Sequence, residues 1–131
     1  MLFIALAPSL AMAATVTVGP DGDYASIGSA ISVSTDGDTI EVSPGTYEES
    51  INLGLKDVTV ISTGGREVTS ITGDGRTATV SISDEATTSS RLSGFTLNSD
   101  GGRCIRIEGG TPQLDNLNLS NCGSDTMARA G

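Results

Sequence analysis

The feature that most constrains this chain is one ten-residue pattern written twice. Leu92-Ser93-Gly94-Phe95-Thr96-Leu97-Asn98-Ser99-Asp100-Gly101 aligns, place for place, with Leu114-Asp115-Asn116-Leu117-Asn118-Leu119-Ser120-Asn121-Cys122-Gly123. Apolar residues share the first, fourth and sixth places and Gly the tenth. A second register runs beside it: Gly75-Arg76 precedes Val80-Ser81-Ile82, and Gly102-Arg103 precedes Ile105-Arg106-Ile107. Self-similarity at the step from Leu92 to Leu114 marks a repeat architecture, in which no single unit can bury its own apolar face. The units are apolar-x-apolar triplets, so the repeating element is a strand with one face inward. At least two strands per coil, broken by Gly, Asn, Asp and Ser, fit coils stacked at about 4.8 Å.

The inward column would be Ile40 and Val42, Val58 and Val60, Val80 and Ile82, Phe95 and Leu97, Ile105 and Ile107, Leu117 and Leu119. Aromatic content of 3% with 17 Gly would be poor for an ordinary globule, but a solenoid stacks small residues and needs few large ones. Disorder is excluded by the periodic placement of the apolar residues. A leucine-rich horseshoe shares the period, yet its consensus spacing is missing outside residues 114–119.

Residues 1–13 contain the apolar run Leu2 to Ala7 and then Ala11-Met12-Ala13, the small-x-small pattern of a secretory leader, although no basic residue precedes the run. Export follows as the expectation, to the periplasm, the cell surface or the medium, with no membrane span after leader removal. The net charge of −9 is uneven: residues 1–57 carry eight acids against Lys56, whereas residues 58–131 carry eight acids and six Arg. Such a surface repels nucleic acid, and repels an acidic polysaccharide unless Ca²⁺ or a local Arg patch intervenes. The two cysteines invite a disulfide in an exported chain. The repeat argues against it, since it stacks Cys122 over Asp100, four residues from Cys104, beyond the ~7 Å limit between bridged Cα atoms.

In chain order, Thr15 to Val18 alternates as a strand, Gly19 to Asp23 is turn chemistry, and Asp23 is the expected N-cap of a helix from about Tyr24 to Val33. Ile27, Ala30 and Ile31 would lie on one face of that helix and cap the column. Residues 14–37 thus form an N-terminal strand and capping helix, residues 38–123 the coils, about three in number, and residues 124–131 an irregular or truncated tail. Longer offsets between the first coil and the later repeats suggest inserted material at residues 62–78, with another strand from Val68 to Thr72. An uncovered far end points to further C-terminal coils or to end-to-end stacking.

Asp23-Tyr24-Ala25-Ser26-Ile27 with Ala30-Ile31, then Asp36-Gly37-Asp38-Thr39-Ile40, Pro44-Gly45-Thr46-Tyr47-Glu48-Glu49 and Val58-Thr59-Val60-Ile61, resemble the N-terminal part of the pectin lyase-like superfamily. Val68 to Gly73 and Leu92 to Leu97 are similar to that superfamily's first repeats. The resemblance covers roughly residues 15–123 and implies an all-β, right-handed parallel β-helix, of the kind that begins pectin methylesterases and bacterial β-helix-repeat proteins. It implies an exported, cell-wall or carbohydrate-associated protein that binds or degrades polysaccharide. If the full protein is an enzyme, it implies a polysaccharide lyase, esterase or glycoside hydrolase. No catalytic motif of that group matches here, so no catalytic, cofactor or metal residue is assigned.

The exposed-face candidates are Glu41, Ser81 and Arg106 between inward pairs, with Arg103 and Glu108 at the edges. Carboxylates and Arg on one face can perform glycoside hydrolysis or assist proton abstraction beside a uronate. One acid with one Arg does not complete that set, and an exposed strand charge is ordinarily a solvated position. The Asp-Gly-Asp turns at 21–23 and 36–38 could offer oxygens to Ca²⁺, or simply form turns. Thr59, Ser81, Thr96, Arg106 and Asn118 do not compose the repeated Thr face of an ice-binding solenoid. The alternative to a carbohydrate-associated segment is a non-catalytic, adhesin-like scaffold.

Overall fold

Strands this short are stable only when each is paired along its length with an equivalent strand one turn away. The computed structural model describes residues 13–53, 56–82, 90–123 and 127–129, the last by backbone alone. Its elements are β1 (Thr15–Val18), α1 (Ile27–Val33), β2 (Thr39–Val42), β3 (Gly45–Glu48), β4 (Ile51–Asn52), β5 (Thr59–Ser62) and β6 (Thr69–Thr72). There follow β7 (Val80–Ile82), β8 (Arg91–Ser93), β9 (Thr96–Asn98), β10 (Ile105–Ile107), β11 (Gln113–Asp115), β12 (Asn118–Ser120) and β13 (Met127–Arg129).

These strands form three parallel sheets, ordered β1-β2-β5-β8-β11, β3-β6-β9-β12 and β4-β7-β10-β13. The chain is a parallel β-solenoid of about four turns, with three strands per turn where two were the minimum expected and about three turns foreseen. Register places like on like. Val16, Ile40, Val60, Leu92 and Leu114 align on the first sheet, Tyr47, Ile71, Leu97 and Leu119 on the second, and Ile51, Val80 and Ile105 on the third. Of the expected inward residues, Ile40 through Leu97 and Ile105 are buried; Ile107 and Leu117 are half-buried, and Leu119 is 37% exposed. Each fully buried aliphatic side chain contributes on the order of 1.5–3 kcal/mol relative to exposure.

The helix begins later than its sequence suggests. Ser26, not Asp23, is the N-cap, its side chain accepting from Ser29 N. Asp23 is occupied elsewhere, its Oδ2 accepting from Thr17 N at 3.3 Å and Thr17 Oγ1 at 3.1 Å. Ile27, Ala30 and Ile31 are buried as foreseen, and α1 packs on β1, β2 and β4. Glu49 receives Ile27 N at 2.9 Å and Gly28 N at 2.7 Å, while Lys56 Nζ donates to the carbonyls of Ile31 and Ser32 at 2.8 Å each. An acid at the helix start and a base at its end both suit the helix dipole.

Residues 62–78 hold a regular strand, since β6 is the second-sheet strand of its turn. Part of the longer offset comes from comparing strands of different sheets, and part lies within the first sheet, where the step from Thr59 to Arg91 exceeds that from Arg91 to Gln113. Nor does the pattern stop at Gly123, because β13 pairs β10 in register, Ile105 with Met127 and Ile107 with Arg129. The expected leader falls almost wholly outside the described residues.

The cysteines are joined, contrary to expectation, with a Cα–Cα distance of 5.5 Å across a sequence separation of 18. The reason lies in the turn before Cys104. Asp100 and Gly101 adopt positive φ, Gly102 N donates to Ser99 O at 2.9 Å, and the chain doubles back. The stretch from Asp100 to Cys104 therefore gives almost no advance around the coil. A bridge closing a loop of this length stabilises by about 3 kcal/mol.

Candidate functional site

The corner between the second and third sheets is built from glycine. A Cβ on Gly102 would sit 2.4 Å from Gly75 O, and one on Gly123 would sit 2.4 Å from Gly101 O. Only residues without a side chain allow successive turns to lie backbone on backbone here. Hydrogen bonds from Gly101 N to Asn121 O (2.8 Å) and from Gly123 N to Gly102 O (2.6 Å) lock that stack, and the disulfide lies beside it.

Side chains excluded from the corner flank it instead. An open groove of about 470 Å³ is lined by Arg76, Thr77, Ala78, Ser81, Gly101, Gly102, Arg103, Arg106 and Gly123. Arg106 and Ser81 are Cα partners on β10 and β7. Arg103 is held by its backbone, since its carbonyl accepts from Thr79 N at 3.0 Å and Ser99 Oγ at 2.8 Å. Arg106 pairs with Glu108 at the surface, their side chains 50% and 36% exposed. Three arginine residues thus line one cleft on a chain of net charge −9, with Glu108 beside it paired to Arg106.

Of the five sequence candidates, Ser81, Arg103, Arg106 and Glu108 come together. Glu41 does not: it lies on β2 of the first sheet, paired with Thr17 and Ile61, because triplet patterns alone do not distinguish one sheet from another. Arg76 is missing from the sequence candidates, although the Gly-Arg step repeated before β7 and β10 is its signal. A neighbouring groove shares Thr77 and is lined by Glu48, Glu49, Ser50, Thr72, Gly73 and Asp74. Asp74 is held below the ordinary carboxylate range by the backbone N–H groups of Arg76 and Thr77.

Elsewhere charges are tied up locally. Arg91 and Asp115 pair across β8 and β11 at 3.0 Å, and Ser93 Oγ donates to Asp115 at 2.8 Å. In the Asp-Gly-Asp turns, Asp23 and Asp38 spend oxygens on protein donors. Among the described residues, no group of three or more His, Cys, Asp or Glu is placed to hold a metal ion. The five residues weighed as an ice-binding face are spread over all three sheets, with Thr59 on the first, Thr96 and Asn118 on the second, and Ser81 and Arg106 on the third. No helix of the described residues is long and apolar enough to cross a membrane. No protein-family model and no curated protein sequence matches this chain.

Proposed function

We propose that this chain is the N-terminal β-helix segment of an exported, carbohydrate-associated protein, similar to the pectin lyase-like superfamily, and that it binds an acidic polysaccharide through its arginine groove. The observation that carries the reading is the convergence of Arg76, Arg103 and Arg106 on one cleft of an otherwise acidic molecule. Arg presents a planar fork of donors that matches a carboxylate, and the stacked turns repeat that fork along the solenoid axis. An open cleft whose described lining residues include no carboxylate pair, with Glu108 tied to Arg106 beside it, suits holding a chain rather than cleaving it. For the same reason the second reading, a non-catalytic adhesin-like scaffold, keeps its place; it differs in placing the partner on another face.

Titration calorimetry with polygalacturonate, its methyl ester and a neutral glucan tests the proposal. Binding of the free acid, weakened about tenfold or more by Arg103→Ala with Arg106→Ala and falling with salt, supports it. Equal binding of the ester, or none of the acid, would defeat it.

A further inference from the structure

Asp38 divides its two oxygens between two different tasks. Its Oδ2 accepts from Thr35 N at 2.9 Å and Thr35 Oγ1 at 3.3 Å, closing the turn that leads into β2. Its Oδ1 reaches across the sheet to accept from Ala14 N at 2.8 Å. Ala14 is fixed from its other side as well, its carbonyl accepting from Thr39 N at 2.9 Å. Asp38 as a residue is only 5% exposed, whereas Ala13 and Ala14 are exposed. Ala14 is also the first residue after Ala11-Met12-Ala13, the small-x-small stretch that follows the apolar run. A buried carboxylate therefore grips the backbone nitrogen that leader removal would turn into a terminus.

We propose that the chain is cleaved between Ala13 and Ala14, and that Asp38 is the receptor for the new α-ammonium group. Hydrolysis of that amide consumes one water. The Ala13 carboxylate departs with the leader, and the Ala14 nitrogen takes up a proton to become an ammonium. A leader removed while the chain is translocated unfolded is gone before folding, so the folded chain brings to Asp38 a terminus already charged. The bond to Oδ1, already assisted by the carboxylate's charge, gains an opposite charge on its donor and becomes an ion pair. The other two ammonium protons face solvent where Ala13 had continued. The remaining charged groups nearby are Lys56, which acts on Asp38 through space, and Asp36 and Asp57, linked to each other by the bond from Asp57 N to Asp36 Oδ1 at 2.8 Å. Maturation and stability are coupled: the uncleaved chain makes the same contact without the charge.

The test begins with the intact mass of the exported protein. A first residue of Ala14 is expected; any other terminus, or an uncleaved chain, overturns the proposal. The protein beginning at Ala14 is then compared with the same protein acetylated at its α-amino group, by thermal melts across pH. A captured ammonium has a raised pKa, so its stabilisation is complete below the ordinary amino value of about 8 and is lost as pH rises through the raised one. The free terminus should melt about 4 °C higher near neutrality, and the gap should close by about pH 10.5. In Asp38→Asn the gap should be absent at every pH. Equal melting of free and acetylated protein at neutral pH overturns the receptor role, even if cleavage occurs at Ala14. Neither arm depends on the polysaccharide titration, so this proposal and the binding proposal can fail separately.

Discussion

The two ends of the solenoid are built on opposite terms. At the head, the first-sheet strands step unevenly, from Thr15 to Thr39 and then by a shorter interval to Thr59, yet Val18, Ile40, Val42 and Val60 are fully buried. At the tail, all three sheets advance by one common step, Leu92 to Leu114, Leu97 to Leu119 and Ile105 to Met127. There, nevertheless, Leu114 and Leu117 are half-buried and Leu119 is exposed. Regularity of spacing is therefore no measure of burial. The head is dry because α1 lies over it, fixed by Glu49 at one end and Lys56 at the other. The tail has no such cover among the described residues and is held by a covalent clasp instead.

The sharpest way to break this comparison uses Leu97 and Leu119, which are Cα partners in adjacent turns. Leu97→Ala should cost about 2–5 kcal/mol in urea unfolding and Leu119→Ala well under about 1 kcal/mol. Equal losses would mean that the last described turn is as dry as the turn before it, and that the tail does not open toward its end. Next in size is the disulfide. Cys104→Ala with Cys122→Ala should cost about 3 kcal/mol, and in hydrogen exchange the loss of protection should concentrate in β11 and β12. A uniform loss that includes β1 and β2 would show that the clasp supports the whole column. Glu49→Gln should cost about 1 kcal/mol, by weakening two bonds to the first turn of α1, with faster exchange confined to the helix.

What is legible in the sequence follows from the same contrast. The tail repeat, constant in its spacing, reveals the architecture, and the strand triplets mark most of the core correctly. Sheet membership is not legible, because a triplet such as Ile40-Glu41-Val42 looks the same whichever sheet carries it, and this is why Glu41 groups with Ser81 and Arg106 on sequence alone. The disulfide is hidden by a turn whose compactness depends on positive φ at Asp100 and Gly101, which counting residues does not register. Around the groove, Ser81 and Arg106 are readable from strand position, and Arg103 and Glu108 from their places at the edges of β10. Arg76 is not, since it stands further ahead of β7 than Arg103 does of β10, and only the repeated Gly-Arg step points to it.

The smallest effect separates the ends by the origin of two depressed carboxylate pKa values. Asp38 at the head is lowered mainly by backbone N–H donors from Thr35 and Ala14; Asp115 at the tail is lowered mainly by the Arg91 side chain, then by Ser93. For both, the folded value lies under the ordinary 3.8, so each stabilises the fold above that pH and ceases to do so as pH falls through its folded value. The two should part company in salt. The Arg91–Asp115 pair is exposed, at 45% and 49%, and a Debye length of about 3 Å in 1 M salt screens it. Backbone donors around a buried carboxylate are not screened in this way. Carboxyl carbon NMR titrations of the α-acetylated protein, in which Ala14 keeps a neutral N–H, should therefore show Asp115 drifting back toward the ordinary value in high salt while Asp38 stays depressed, and Arg91→Ala should leave the unfolding midpoint nearly unchanged. If salt moved Asp38 as far as Asp115, water would have reached the carboxylate, and the head would have to be redrawn as an end no better sealed than the tail.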